Sequence, residues 1–147
     1  MWFMKPERNM EENRLVLDTH VWVSIFHKNR EEDPVNAIPE KGLLLVSCDE
    51  QLKEFLHISA TKDQVIKMLG SKPEDYALFI KSVTQSSKTE KRFSLLPDYK
   101  DNYLVDLAYQ TKSILVSDDT GFNMLKKLKH PKVKVISKKD FYSMLNW

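Results

Sequence analysis

Glycine is scarce: the chain has 3 in 147 residues. Neither GxGxxG nor GxxxxGK[ST] occurs, which removes the two common loops that cradle nucleotide phosphates. Cys48 is the only cysteine, so no disulfide can close within the chain. A lone thiol fits a reducing compartment, and a cytoplasmic location is expected. No histidine or asparagine motif supports Cys48 as a nucleophile. Long apolar runs are also missing. The cleanest are Leu43-Leu44-Leu45-Val46 and the surroundings of Val21-Trp22-Val23, against about 20 residues for a membrane-spanning helix. Met1-Trp2-Phe3-Met4 passes at once into Lys5-Pro6-Glu7-Arg8, too short for a signal-peptide core. No membrane partner is expected. The four histidines, His20, His27, His57 and His130, form no zinc spacing.

The length suits one domain, able to bury about 68–70% of its unfolded surface without a metal or disulfide staple. Charge is balanced, with 23 Lys+Arg against 21 Asp+Glu and a net charge of +2. Residues 1–13 read as a polar tail and 14–147 as the domain. Short apolar runs mark five strands: Arg14–Leu17, Leu43–Ser47, Arg92–Leu96, Ile114–Ser117 and Val133–Ile136. Helical spacing separates them, as in Val21, Trp22, Ile25 and Phe26, with Trp22 and Phe26 expected in the core. Further helices are expected around Asp49–Leu56, Asp63–Leu69, Glu74–Val83, from Asp101, after Gly121 and over Lys138–Leu145. Residues 28–41, with Pro34 and Pro39, read as a loop holding at most a short helix. Alternating strands and helices predict an α/β fold: three α/β/α layers around a short parallel sheet of about five strands.

In such sheets, sites form at the carboxyl ends of the strands, where strand order reverses. The residues there are acids. Asp18 ends the first strand, Glu50 and Glu54 follow the second, Asp98 and Asp101 the third, Asp118 and Asp119 the fourth. Two like charges about 4 Å apart repel by roughly 4 kcal/mol at an effective dielectric near 20. A convergent set therefore holds protons or a cation, and hard divalent cations prefer oxygen. Asp101 stands three residues before Leu104 and so near its helix's apolar stripe, whereas Asp106 falls on the opposite side; Asp101 is the preferred candidate. Glu50 and Glu54 share one face, turned away from Leu52 and Leu56, so the wheel alone places both in solvent. Each acid singly reads as a cap, a turn residue or a surface residue. Their recurrence at four matching positions is what points to a site.

The ordered set resembles the PIN-domain family. Leu15-Val16-Leu17-Asp18-Thr19 resembles its opening strand. Glu50-Gln51-Leu52-Lys53-Glu54-Phe55 resembles its second motif, Asp98 through Ala108 its third, and Leu115-Val116-Ser117-Asp118-Asp119 its fourth. The resemblance spans residues 14 to 145, and the nearest branch is the VapC-like toxins of prokaryotic toxin–antitoxin pairs. It implies a ribonuclease using Mg²⁺ or Mn²⁺, with Asp18, Glu54, Asp101 and Asp119 as ligands and catalytic residues. Thr19 and Ser117 match hydroxyl positions near the metal, and Asp98 and Asp118 are possible outer acids. An RNA substrate, a homodimer and an antitoxin partner are implied as well. Two departures stand out: His20 where the family often has Asn, and Asp118 where it often has Gly, which leaves open which Asp of that pair binds metal.

From Lys126 to Lys139 lie seven lysines and no acid. Lys126, Lys127 and Lys129 in particular can attract a phosphate backbone, though a solvated face whose lysines deter aggregation explains them as well. The rival to a nuclease is a catalytically silent PIN-like domain that binds or regulates. A response-regulator phosphoacceptor would need an acidic pair after the first strand, where Asp18-Thr19 stands. A DxDx[TV] phosphatase fails because His20 takes the place of the second Asp.

Overall fold

The computed structural model describes residues 13–29, 32–70, 72–90 and 102–146. The first strand, β1 (Arg14–Leu17), runs into helix α1 (Thr19–His27), and α2 (Glu32–Glu40) leads to β2 (Leu44–Ser47). Three helices follow: α3 (Asp49–Thr61), α4 (Asp63–Leu69) and α5 (Pro73–Val83). The chain continues through β3 (Gln85–Ser86), α6 (Asn102–Gln110), β4 (Ile114–Val116), a 3₁₀ helix (Thr120–Lys127), β5 (Val135–Ile136) and α7 (Lys138–Met144). All neighbouring strands pair in parallel, in the order β3-β2-β1-β4-β5.

Strand side chains alternate between the two faces, and the core splits accordingly. Leu15, Leu17, Leu45, Ile114 and Val116 join one cluster with residues of α1, α2, α3, α4, α5 and α7. Val16, Val46 and Leu115 join the other, with Leu104, Val105, Leu107 and Ala108 of α6 and Phe122 and Leu125 of the 3₁₀ helix. Both faces are covered, which gives the expected α/β/α layers and explains why the inner strands are continuous apolar runs. Trp22 and Phe26 are fully buried and their rings stack at 5.9 Å, as expected.

Two elements differ from the sequence reading. Residues 32–40 form a nine-residue helix. Pro34 sits in its first turn, where the missing N–H has no partner to lose, Pro39 lies next to its end, and buried Ile38 ties it to the core. The third strand of the sheet is Gln85–Ser86, two exposed polar residues held by pairing with Val46 and Ser47. The expected strand at Arg92–Leu96 and the tail over 1–12 lie outside the described residues. Among the described residues no helix is long and apolar enough to cross a membrane.

Candidate active site

The connection after β1 turns to one side of the sheet, toward β2. The chain later returns to the other side of β1 as β4. The crevice between the carboxyl ends of β1 and β4 is therefore the topological switch point. Asp18 follows β1 and Ser117 follows β4. The Asp18 backbone N–H donates to the Val116 carbonyl at 2.9 Å, and the Ser117 hydroxyl donates to Asp18 Oδ2 at 2.6 Å. Asp18 also caps α1. Burial pushes its carboxyl above the usual carboxylate range; the Ser117 hydrogen bond and the charge of His20 oppose this, and the negative charge of Glu54 adds to it. A buried acid next to a second acid is stable as a proton carrier or as a cation ligand.

Glu54 reaches this place through α3. The buried side of that helix is Gln51, Phe55, Ile58 and Ser59, not a stripe through Leu52 and Leu56, and the rotated wheel sets Glu54 beside the buried side. This corrects the placement of Glu54 in solvent. Gln51 is fully buried and its amide donates to the Leu17 carbonyl at 2.5 Å, which fixes α3 against the end of β1. Glu54 Oε1 then accepts from the Thr19 hydroxyl at 2.5 Å and from the Tyr103 hydroxyl, while Thr19 Oγ1 and Tyr103 OH are 3.1 Å apart. Burial, then the charge and hydrogen bond of Glu54, push the Tyr103 phenol well above its ordinary value, so it stays a donor. Glu50 is turned elsewhere and accepts from Thr89.

The acids after β4 are each braced. Asp119 caps the 3₁₀ helix, its Oδ1 accepting from the Gly121 N–H at 2.8 Å, and its own N–H donates to Ser117 Oγ at 3.0 Å. A Cβ on Gly121 would stand 3.2 Å from Asp119 Oδ1, so the glycine makes room for the carboxylate. Asp118 Oδ1 accepts from the Lys138 N–H at 2.8 Å, which ties it to the start of α7. Asp18, Asp118 and Asp119 line one pocket of about 280 Å³ together with His20, Val21 and Lys138.

Asp18, Thr19, Glu54, Ser117, Asp118 and Asp119 are thus drawn to one edge of the sheet, while Asp98 and Asp101 lie outside the described residues. Among the described residues, no three acidic, histidine or cysteine side chains form a ready metal cluster. Lys126, Lys127 and Lys129 are exposed and do not line this pocket. Cys48 is buried, its thiol pushed up to about 12 by that burial, and this agrees with its reading as no nucleophile. Sequence reasoning passed over Tyr103, Gln51 and Asp106. Asp106 is buried, against the expectation from the wheel. Every residue of α6 from Leu104 to Ala108 is buried, so a single-stripe wheel misplaces Asp106. A tyrosine and a glutamine beside the motif acids were the available signals.

Ser117 bridges Asp18 and Asp119, so Ser117→Ala is expected to leave a buried carboxylate oxygen without its donor. The expected loss is about 1–3 kcal/mol of stability. Thermal unfolding measures it.

The parallel α/β/α domain places these braced acids at its switch point. The chain belongs to the PIN-domain family, whose model matches residues 14–121. That span holds β1 through the start of the 3₁₀ helix, and with it every acid described above. PIN domains are generally nucleases, which bind RNA and use divalent metals. No curated protein and no solved structure gives a significant match.

Proposed function

We propose that this PIN domain is a Mg²⁺- or Mn²⁺-dependent endoribonuclease, the toxin of a toxin–antitoxin pair. The observation that carries the nuclease reading is the buried Asp18 at the switch point, with the negative charge of Glu54 opposing its ionisation and Ser117 holding one of its oxygens. The donors fit the ion. They are hard oxygens, and Mg²⁺ takes one or two carboxylates and keeps several waters, so a closed three-carboxylate cage is not required. Asp18, Glu54 and Asp119 are the residues proposed to hold it, with Asp101 as the fourth. When bound, the dication would neutralise charge on a phosphoryl group and acidify a water.

The chain's own groups have distinct tasks. Ser117 keeps one Asp18 oxygen fixed and orients the other. Thr19 and Tyr103 do the same for Glu54, by donating to one of its oxygens. Asp119 is held by Gly121 and Ser117, and Asp118 acts from outside by anchoring α7. The toxin role, the antitoxin partner and the homodimer rest on the order of the four motifs. Lys126, Lys127 and Lys129 are proposed as a secondary track for the RNA backbone.

The test is cleavage of purified RNA with EDTA and then with Mn²⁺. Cutting that requires Mn²⁺ and leaves 5′-phosphate and 3′-hydroxyl ends supports the reading. No cutting by the parent protein, or cutting indifferent to EDTA, overturns it and favours the silent binding module.

A further inference from the structure

The pocket that holds the three carboxylates also contains a cation that the family motifs do not account for. Lys138 is the first residue of α7 and lines the pocket. Its position is fixed at both ends. Its backbone N–H donates to Asp118, and its Nζ donates to Ser24 Oγ of α1 at 3.3 Å. The choice of partner is informative. Asp18, Asp118 and Asp119 line the same pocket, yet among the described residues the hydrogen bond of the ammonium goes to a neutral hydroxyl. An ammonium has three donors, and a hydroxyl acceptor uses one without neutralising its charge. Its neighbour Lys139 is exposed and lines no part of the pocket.

An acid-lined pocket repels a polyanion. A dication held by the acids would supply one point of attraction. A fixed ammonium that makes no ion pair among the described residues supplies a second, and two cations orient a phosphate better than one. We infer that Lys138, held in place by Ser24, is a substrate-contacting residue that binds an RNA phosphate in the acidic pocket it lines. This inference rests on the nuclease reading for the identity of the ligand. Lys138 is outside the acids' own bonding apart from its backbone, so its side chain can be changed without removing a carboxylate.

The experiment measures binding of a short unstructured RNA analogue with a charged, cleavage-resistant backbone by the full chain in saturating Mn²⁺, over a series of KCl concentrations. Lys138→Gln, Lys138→Arg and Lys139→Gln are compared with the parent. A phosphate contact on a single strand contributes about 0.7 to the slope of log affinity against log salt. Lys138→Gln is expected to lose about that much slope. Lys138→Arg is expected to restore it, and Lys139→Gln to keep the parent slope. Calorimetric titration of the same proteins with Mn²⁺ is expected to show no weakening in Lys138→Gln, because removing a positive charge beside carboxylates does not disfavour a cation. A parent-like slope in Lys138→Gln overturns the inference. An equal loss in Lys139→Gln also overturns it, since the effect is then bulk charge. Weakened Mn²⁺ binding in Lys138→Gln overturns it too, because the lysine is then a brace for the acids. The two readings fail separately. A parent protein that cleaves RNA while Lys138→Gln keeps its slope sinks only the phosphate contact. A Lys138-dependent slope in a protein that never cleaves sinks only the nuclease.

Discussion

Asp18→Asn is expected to abolish RNA cleavage, by about 100-fold or more, while the protein melts at or above the parent temperature. The two effects have one origin. Burial and the charge of Glu54 raise the Asp18 carboxyl above the usual range, so the fold disfavours its charged form. A folded-state value raised for an acid means that the unfolded chain gives up the proton first. Without metal, stability therefore falls as pH rises from the unfolded value toward the folded one. Asparagine keeps the shape and removes the charge, and with it that fall. The same charge is what would hold a dication, whose contribution to the reaction is several kcal/mol, and each 1.4 kcal/mol or so is a factor of ten in rate. Cleavage assays with Mn²⁺, and thermal unfolding of both proteins at neutral and mildly acidic pH, check the pair. An Asn variant that melts well below the parent would place Asp18 among purely structural caps.

Phe26→Ala is expected to cost about 3–5 kcal/mol and to lower Tm by roughly 10–20 °C. Phe26 is 1% exposed and sits at the centre of an aromatic cluster. Its ring centre lies 5.9 Å from Trp22, 5.7 Å from Phe55, 4.4 Å from Tyr76 and 5.8 Å from Phe79. These rings join α1, α3 and α5, the helices on one face of the sheet. Glu54 is on α3 and Asp18 caps α1, so the cluster also holds the two acids in register. A domain has only about 5–15 kcal/mol in total, so the loss is a large share. The variant is expected to lose Mn²⁺ binding on warming before the parent does. Urea or thermal unfolding gives the size of the effect, and a loss below about 1 kcal/mol would mean that the ring is not packed as described.

The strands at the centre of the sheet were legible because each is buried on both faces and so spells an apolar run. Asp18 and Asp119 were legible for a related reason, as acids where such a run stops. Gln85–Ser86 had no such signal: it is exposed and polar, and only the ladder to β2 makes it a strand. The helix at residues 32–40 was hidden by prolines that its first turn and its end tolerate. Glu54 was misplaced by a wheel centred on Leu52 and Leu56, when buried Gln51 sets the true face. Polar residues that are buried to serve a site break the hydrophobic period from which burial is read. Asp106 and Gln51 are both polar and buried, and both break that period. Lys138 was legible only as one lysine of seven, because its partners, Ser24 and Asp118, are distant in sequence.

Acids from separate strands and helices are proposed to act together as a seat for a dication. Calorimetric titration of the metal-free protein with Mn²⁺ tests this most directly, with Asp18→Asn beside it. Saturable uptake at a fixed number of ions per chain in the parent, lost in the variant, is the predicted result. An absence of saturable uptake in the parent, or equal uptake in the variant, would contradict it.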